Sequence, residues 1–368
     1  VSKVPFQEFR AAYKELKAEL DDAYQRFMES GWYVLGKEVS SFEEEYAAYC
    51  EAKHCVGVGN GLEALHLALR AVDCGPSDEV IVASNTYIAT WLAVTQVGAT
   101  VVPVEPDEKT YNLNPELIEQ AVTPRTKVIL ATNLYGQPCD YDAIRAVADR
   151  HGLIFATDNA QSQGARYKGR RVGGLAHFEC HSFYPSKNLG AFGEAGAVTT
   201  NNSGVADRIR VLRNYGSRVR YHNEVIGYNS RLDELQAAFL RVKLKRLDEW
   251  NARRKALASE YLSHLSSLNP QLVVPTVPPW ADPVWHLFVI RHASRDAFQK
   301  YLGDEGIQTI IHYPIPPHLS GAYANSGFKR GDFPVAERMA DEVLSLPISP
   351  HLQVEQLNSV CSVIHQRG

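Results

Sequence analysis

Between residues 55 and 157 the chain repeats one unit: a short apolar run, a turn, then a helical pattern. The runs are Cys55-Val56-Gly57-Val58, Glu79–Ala83, Thr100–Val104, Lys127–Ala131 and Leu153–Thr157. Helical patterns follow over Leu62–Val72, from Tyr87 through Val97, and near 140–151. A strand with one wet face alternates apolar and polar residues; most of these runs do not alternate, so both of their faces must be covered. Strands separated by helices join in parallel, since a parallel pair needs a long crossover. The pattern predicts an α/β fold with a largely parallel central sheet between helices. Ligands of such sheets sit at the carboxyl ends of the strands. That rule singles out Asn60-Gly61, Tyr87, Asn133-Leu134-Tyr135-Gly136 and Asp158-Asn159-Ala160-Gln161.

A second stretch, Cys180–Thr200, reads as a strand running into Pro185, a turn rich in glycine and alanine, and a return strand at Ala197-Val198-Thr199. One lysine, Lys187, stands in that turn, and the only other charge within seven residues is Glu194. Taken alone, it reads equally as a surface lysine and as a shielded amine. Shielding lowers a lysine's pKa, and the neutral amine attacks carbonyls.

The flanks have a different grammar. Residues 10–29 carry a helical stripe of Tyr13, Leu16, Leu20, Tyr24 and Phe27. The segment Trp32–Gly36 reads as a core loop or as a surface loop that covers a partner. A helix over 38–50 follows, with Ser40 or Ser41 as its cap. After a helix near 204–213 and a polar loop from Asn214 to Tyr221, Ser230 reads as the cap of a helix running past residue 255. Beyond the proline-rich 275–283, a strand at Trp285–Ile290, a helix near 294–305, a strand near 307–311 and helices around 334–343 and 353–364 predict a smaller C-terminal α+β domain. The division expected is 1–255 for the large domain and 256–368 for the small one.

The net charge of −4 and the absence of a basic block argue against a nucleic-acid partner. No apolar run reaches the length of a membrane span. Six cysteines, at 50, 55, 74, 139, 180 and 361, show neither disulfide rhythm nor metal spacing. They read as reduced thiols of a cytoplasmic protein without a metal centre.

The residues at the strand ends form one chemical set. Lys187 offers an amine for an imine. The Asp158 carboxylate can hold a protonated ring nitrogen, and the Tyr87 ring can cover a planar heterocycle. Asn60-Gly61, at a strand-to-helix junction, presents backbone amides suited to a phosphate, and the Ser182 hydroxyl and Asn229 can add to them. The sequence is neither a full dinucleotide fingerprint nor a P-loop. An imine, a ring-nitrogen partner, a stacking ring and one phosphate cradle are what pyridoxal phosphate asks of a protein.

The chain also resembles the DegT/DnrJ/EryC1/StrS sugar aminotransferases. The matching runs are Gly59-Asn60-Gly61-Leu62-Glu63-Ala64-Leu65, Ser84-Asn85-Thr86-Tyr87, Asp158-Asn159-Ala160-Gln161, Ser182–Gly190 and Gly227–Gln236. The resemblance implies a fold-type I enzyme in which Lys187 binds pyridoxal 5'-phosphate covalently and Asp158 pairs with its ring nitrogen. It implies Gln161 at the ring oxygen, Tyr87 at the ring face, and Gly61, Leu62 and Ser182 at the phosphate. Asn229 would reach that phosphate from the second subunit of a homodimer with shared sites. Asn159 departs from the small residue common at that place.

Within the family, Tyr215-Gly216-Ser217-Arg218, His312–Leu319 and Ser345–His351 resemble the subgroup that aminates C3 of a dTDP-3-keto-6-deoxyhexose. That implies L-glutamate as donor and a role in deoxyamino-sugar biosynthesis for a lipopolysaccharide, another glycan or an antibiotic. The expected sugar-nucleotide contacts are Tyr215, Arg218, Arg220, Arg231, His312 and Tyr313. Alternatives are a C4 aminotransferase acting on a dTDP- or UDP-4-keto sugar, a cysteine desulfurase or lyase of the same fold, and a non-catalytic cofactor-binding or interaction protein.

Overall fold

The computed structural model describes residues 3–266 and 272–366. Its central sheet has seven strands: β1 (His54–Val58), β2 (Glu79–Ala83), β3 (Thr100–Val104), β4 (Thr126–Thr132), β5 (Ile154–Asp158), β6 (Glu179–Ser182) and β7 (Gly196–Thr200). Their order is β1-β7-β6-β5-β4-β2-β3. The pairs β6–β5, β5–β4, β4–β2 and β2–β3 are parallel. The return strand β7 is antiparallel to both of its neighbours, so it alone runs against the other six. Pro103 lies on the edge strand β3, where one side needs no amide donor.

Successive residues of β2 and β4 serve opposite faces, as the strand period of two requires. Val80, Val82, Val128 and Leu130 join a core with Leu65, Leu69, Trp91 and Ile209. Ile81, Ala83, Ile129 and Ala131 join another with Ile144, Val147 and Phe155. α1 (Lys17–Ser30) packs on later helices through Leu20 and Ala23 against Ala238 and Val242, and the covering helices are α2 (Lys37–Tyr49), α3 (Gly61–Ala71), α4 (Ile88–Gln96), α5 (Tyr141–His151) and α6 (Ser203–Leu212). Side chains set several of their starts. Asn60 Oδ1 accepts from the Glu63 N–H at 2.9 Å, Asp140 Oδ1 from Ala143 at 3.2 Å, and Asn202 Oδ1 from Gly204 at 2.9 Å.

A further core, apart from the two on the sheet faces, gathers Leu257, Tyr261, Phe288, Ile290, Leu302, Leu344 and Val360, and takes in Val4 from near the amino end. Its antiparallel sheet comprises β8 (Leu272–Val273), β9 (Phe288–His292) and β10 (Val343–Leu346), in that order. The helices around it are α8 (Leu247–Leu265), α9 (Arg295–Asp304), α10 (Pro334–Glu342) and α11 (Val354–His365); α7 (Glu234–Leu244) precedes them.

Several local expectations are corrected. The helix over 10–29 is interrupted at Leu16, separating Arg10–Glu15 from α1. The long helix after Ser230 is two, since Lys245 and Arg246 separate α7 from α8. Ser230 does not cap α7, which begins four residues later. Its hydroxyl accepts from the Gly59 N–H at 3.1 Å and donates to Glu63 Oε2. Neither Ser40 nor Ser41 caps α2. The carboxylate of Glu234 does, accepting from the N–H groups of Gly36, Glu38 and Val39 at 2.6, 2.9 and 3.0 Å. The stretch near 307–311 forms only the isolated bridges Val4↔Ile307 and Ile310↔Ser345. Trp32, Tyr33 and Val34 are exposed, so their loop is surface rather than core.

Candidate active site

The loop between β6 and β7 carries Lys187. It closes through Phe183 N–H to Ala195 O at 2.8 Å and Ala191 N–H to Phe183 O at 2.7 Å. The next residue, Asn188, is buried and anchors the loop. Its amide donates to Asn251 Oδ1 at 2.8 Å and Val284 O at 2.9 Å, and its Oδ1 lies 3.2 Å from His286 Nδ1. The Lys187 side chain forms no hydrogen bond or ion pair among the described residues. Burial lowers its pKa to about 8, while the charge of Asp158 pulls the other way.

Asp158 ends β5 and is buried. Its Oδ1 accepts from the Ala160 N–H at 3.0 Å and its Oδ2 from the Thr90 hydroxyl at 2.8 Å. Burial raises its pKa, and Ala160, Thr90 and Lys187 work against that rise. Gln161, three residues on, is fixed at both ends of its amide. Oε1 accepts from the Tyr135 N–H at 2.6 Å, and Nε2 donates to the Tyr313 hydroxyl at 2.9 Å. The exposed Tyr87 ring, at the start of α4, stands 5.1 Å from the ring of Tyr313 at an interplanar angle of 37°.

The Asn60-Gly61 turn lies against the ends of β6 and β7 with no room for side chains. A Cβ on Gly61 would stand 2.5 Å from Ser182 Cβ, and one on Gly196 would stand 2.4 Å from Asn60 C and O. The amides of Gly61 and Leu62 open α3, beside the buried Ser182. Free amides at a helix start, next to a hydroxyl and cleared of side chains, suit a phosphate.

From the C-terminal part of the chain come His312 and Tyr313, the latter packed against a cluster that includes Tyr111, Tyr135 and Leu287. His312 Nδ1 is 2.8 Å from Ser345 Oγ, and its carbonyl accepts from the Tyr135 hydroxyl. Burial, with the nearby charge of Lys187, lowers the His312 pKa to about 4. His286 is buried and lowered likewise, with Lys187 again among the causes. Lys187 thus faces two neutral imidazoles and one carboxylate.

The structure therefore gathers Asp158, Gln161, Tyr87, Lys187, His312 and Tyr313, with Asn60, Gly61, Leu62 and Ser182 at the neighbouring strand ends. The remaining sequence candidates form a separate, outward group. Ser217–Val219 and His222–Asn223 make a short hairpin, in which Arg218 pairs with Glu224 at 3.3 Å and Arg220 lies 4.9 Å from the Tyr221 ring. Arg231 donates to Asn214 Oδ1 at 3.2 Å and lies 5.4 Å from the Tyr215 ring. Asn229 is exposed and bridges Asn214. None of this group bonds to Lys187 or Asp158 within one chain.

Sequence reasoning missed Thr90, Asn188 and His286. Asn188 adjoins Lys187 in the chain, whereas Thr90 and His286 had no local signal, because only the packed fold brings them in. Asn159, noted as a departure, donates to Glu179 Oε2 at 2.5 Å and ties the Asp158 turn to a buried carboxylate. All six cysteines are free and buried, and burial raises the thiol pKa of Cys139 and Cys180, so neither is an activated thiolate. No helix among the described residues is long and apolar enough to cross a membrane.

The model of the DegT/DnrJ/EryC1/StrS aminotransferase family matches residues 14–365. The chain belongs to this family. It is 55% identical over 361 residues to the erythromycin biosynthesis sensory transduction protein EryC1 of Saccharopolyspora erythraea, covering 98% of each. It is 54% identical over 364 residues to the dTDP-3-amino-3,4,6-trideoxy-alpha-D-glucose transaminase of Streptomyces venezuelae, covering 99% of this chain and 96% of that one. Identity to the dTDP-3-amino-3,6-dideoxy-alpha-D-galactopyranose transaminase of Aneurinibacillus thermoaerophilus is 50% over 365 residues, 99% of each. The crystal structure of S. venezuelae DesV in complex with a ketimine intermediate superposes with a TM-score of 0.98 at 53% identity, covering 100% of this chain and 99% of that one. The family's fold is the one described above, a mostly parallel sheet flanked by helices.

Proposed function

We propose that this protein transfers the amino group of L-glutamate to C3 of a dTDP-3-keto-6-deoxyhexose, with pyridoxal 5'-phosphate as cofactor. The observation that carries the reading is the desolvated amine of Lys187, set in the field of the buried Asp158 carboxylate in a chain of this family. The residues present suit the cofactor. Gly61 and Leu62 amides and the Ser182 hydroxyl, next to Asn60, would hold its phosphate in the space a Cβ would fill. Asp158 would take the ring nitrogen, Tyr87 the ring face, and the second amide N–H of Gln161 the ring oxygen. Asn229 would complete the phosphate site from a second copy of the chain, together with the exposed Trp32–Gly36 loop.

When bound, the cofactor supplies an electron sink for the carbanion left by loss of the amino acid's Cα proton. Lys187 would anchor the cofactor covalently and serve as the base that removes that proton and later returns one. A pKa of about 8 leaves a useful neutral fraction near neutrality. Asp158, in its ionised form, would keep the ring nitrogen protonated. The same groups act first on glutamate, releasing 2-oxoglutarate, and then on the keto sugar in the reverse sense.

Two of the relatives are named for a 3-amino product on dTDP and differ at C4 of the hexose. This supports C3 and dTDP and leaves the C4 substituent open. His312 and Tyr313 are proposed for the sugar, Arg218, Arg220 and Tyr215 for the nucleotide, and Arg231 for the donor carboxylate. We divide the chain at residue 255 into a cofactor domain and a smaller one. We place the protein in the cytoplasm as a homodimer that supplies an amino sugar to glycan or antibiotic assembly.

Glutamate alone should convert the bound cofactor to its amine form, and Lys187→Ala should abolish the absorbance that belongs to the lysine–cofactor linkage. A panel of 3-keto and 4-keto sugar nucleotides, with NMR of the product, decides the regiochemistry: an amine at C4 overturns the C3 assignment. Mixed dimers of Lys187→Ala and Asn229→Ala chains should regain part of the activity that each variant lacks alone. No recovery in verified heterodimers would show that Asn229 does not act across subunits.

A further inference from the structure

Behind Asp158 three threonine hydroxyls stand in line. Thr90 Oγ1 is 2.8 Å from Asp158 Oδ2, Thr86 Oγ1 is 3.0 Å from Thr90 Oγ1, and Thr132 Oγ1 is 2.9 Å from Thr86 Oγ1. All four residues are buried. They come from separate places in the fold: Thr132 ends β4, Asp158 ends β5, Thr86 lies in the turn after β2, and Thr90 is in the first turn of α4.

Counting protons fixes the direction of the line. Each hydroxyl has one to give, and an ionised carboxylate only accepts. Thr90 therefore gives its proton to Asp158 and accepts from Thr86. Thr86, its own proton spent, accepts from Thr132. Three hydroxyl dipoles then point their positive ends toward one carboxylate, and aligned bonds in a dry interior strengthen one another. Ala160's N–H occupies the other oxygen at 3.0 Å.

We infer that Thr132, Thr86 and Thr90 are positioning residues, a one-way donor line that keeps Asp158 ionised and holds it toward the cofactor's ring nitrogen. This rests on the reading of Asp158 given above. Burial alone favours the neutral acid. The titratable groups whose fields reach Asp158 are Lys187, Tyr313 and Cys180. Lys187 favours the ion only while it is charged, and its lowered pKa makes that charge depend on pH. Tyr313 and Cys180 are both pushed upward by burial and stay neutral near neutral pH. The hydroxyl line is independent of these charges. No proton leaves it and no bond is made or broken.

The test uses the cofactor-loaded enzyme and the near-isosteric change Thr→Val at each position. The visible absorbance is titrated against pH, and kcat and KM are measured for the glutamate half-reaction. Asp158→Asn sets the direction in which loss of the anion moves the midpoint. Thr90→Val should move the midpoint the same way by about one pH unit and lower kcat roughly tenfold at nearly constant KM. Thr86→Val should do the same by less, and Thr132→Val by least. Thr90→Ser should restore both values.

A wild-type midpoint in Thr90→Val, whatever its activity, overturns the inference, because a merely structural role would lower activity without moving the titration. A larger shift from Thr132→Val than from Thr90→Val overturns the ordering on which the line depends. If Thr90→Val does not fold, Thr86→Val and Thr132→Val carry the test, and wild-type midpoints in both are fatal to it. An unmoved midpoint in Asp158→Asn removes the reading of Asp158 itself, and so separates that failure from failure of the hydroxyl line.

Discussion

Lys187 shows what a single side chain costs and returns. Its pKa falls from 10.5 to about 8 because burial disfavours the ammonium. The unfolded chain therefore binds more protons than the folded one between about pH 8 and 10.5, and stability rises with pH across that window. The full penalty is felt below pH 8. Allowing for the residue's partial exposure, it is on the order of 2 kcal/mol. Cofactor-free Lys187→Met should accordingly resist urea better than the parent at pH 7, with the gap narrowing by pH 9.5; a gap independent of pH would show that the amine is not desolvated. From sequence the lysine was half legible. Its turn and the scarcity of charge around it could be read directly, and the strand-end rule added Asp158, Tyr87 and Asn60-Gly61. His286 and Thr90 could not be read, since a side chain that reaches the site through packing leaves no periodic mark in its own stretch.

Among the elements, strands were the most legible and helix ends the least. An apolar run between turns is a local property of the chain, so the five parallel strands fell within a residue or so of their expected limits. Helix starts depend on what else can satisfy the first free N–H groups. At α2 the partner is Glu234, 195 or more residues away in sequence, which no local capping rule finds. The buried carboxylate takes three N–H groups, and losing it strands all three. Glu234→Ala should cost about 2–3 kcal/mol in chemical denaturation. Glu234→Gln should recover less than half of that, since its amide turns one acceptor into a donor facing other donors. A loss below about 0.5 kcal/mol in the alanine variant would mean that solvent replaces the cap. The same contact pins the start of α7, close to the exposed Asn229 and the half-buried Arg231.

At the scale of the molecule, the C-terminal core is joined to the sheet by main-chain bonds beside a buried cation. The Arg254 guanidinium, on α8, donates to the carbonyls of Trp285, His286 and Ile348 at 3.2, 3.4 and 3.1 Å. Burial without a carboxylate partner lowers its pKa to about 10, so it remains charged at neutral pH. The segment it grips also bonds to the Tyr135-Gly136 turn, through Val284 N–H to Gly136 O at 3.0 Å and Leu287 N–H to Tyr135 O at 3.2 Å. That turn in turn holds Gln161. Arg254→Ala should therefore cost about 3 kcal/mol and weaken cofactor binding at a distance, measured by denaturation and by titration with the cofactor. Loss of stability with unchanged cofactor affinity would uncouple the junction from the site. The strand at the reset after residue 283 was legible, but the bonds that join it to the sheet were not, because they are made by backbone groups.

The loop that bears Lys187 has a further meaning. Its path is closed by β6 and β7, its neighbour Asn188 is tied on three sides, and Gly190 leaves room for the Pro185 carbonyl, yet the lysine side chain itself holds nothing in place. Position 187 is thus a socket whose wiring is independent of the plug. A lineage can exchange the reactive group there and alter the reaction while inheriting the scaffold intact, so that chemistry and architecture are free to evolve on separate schedules.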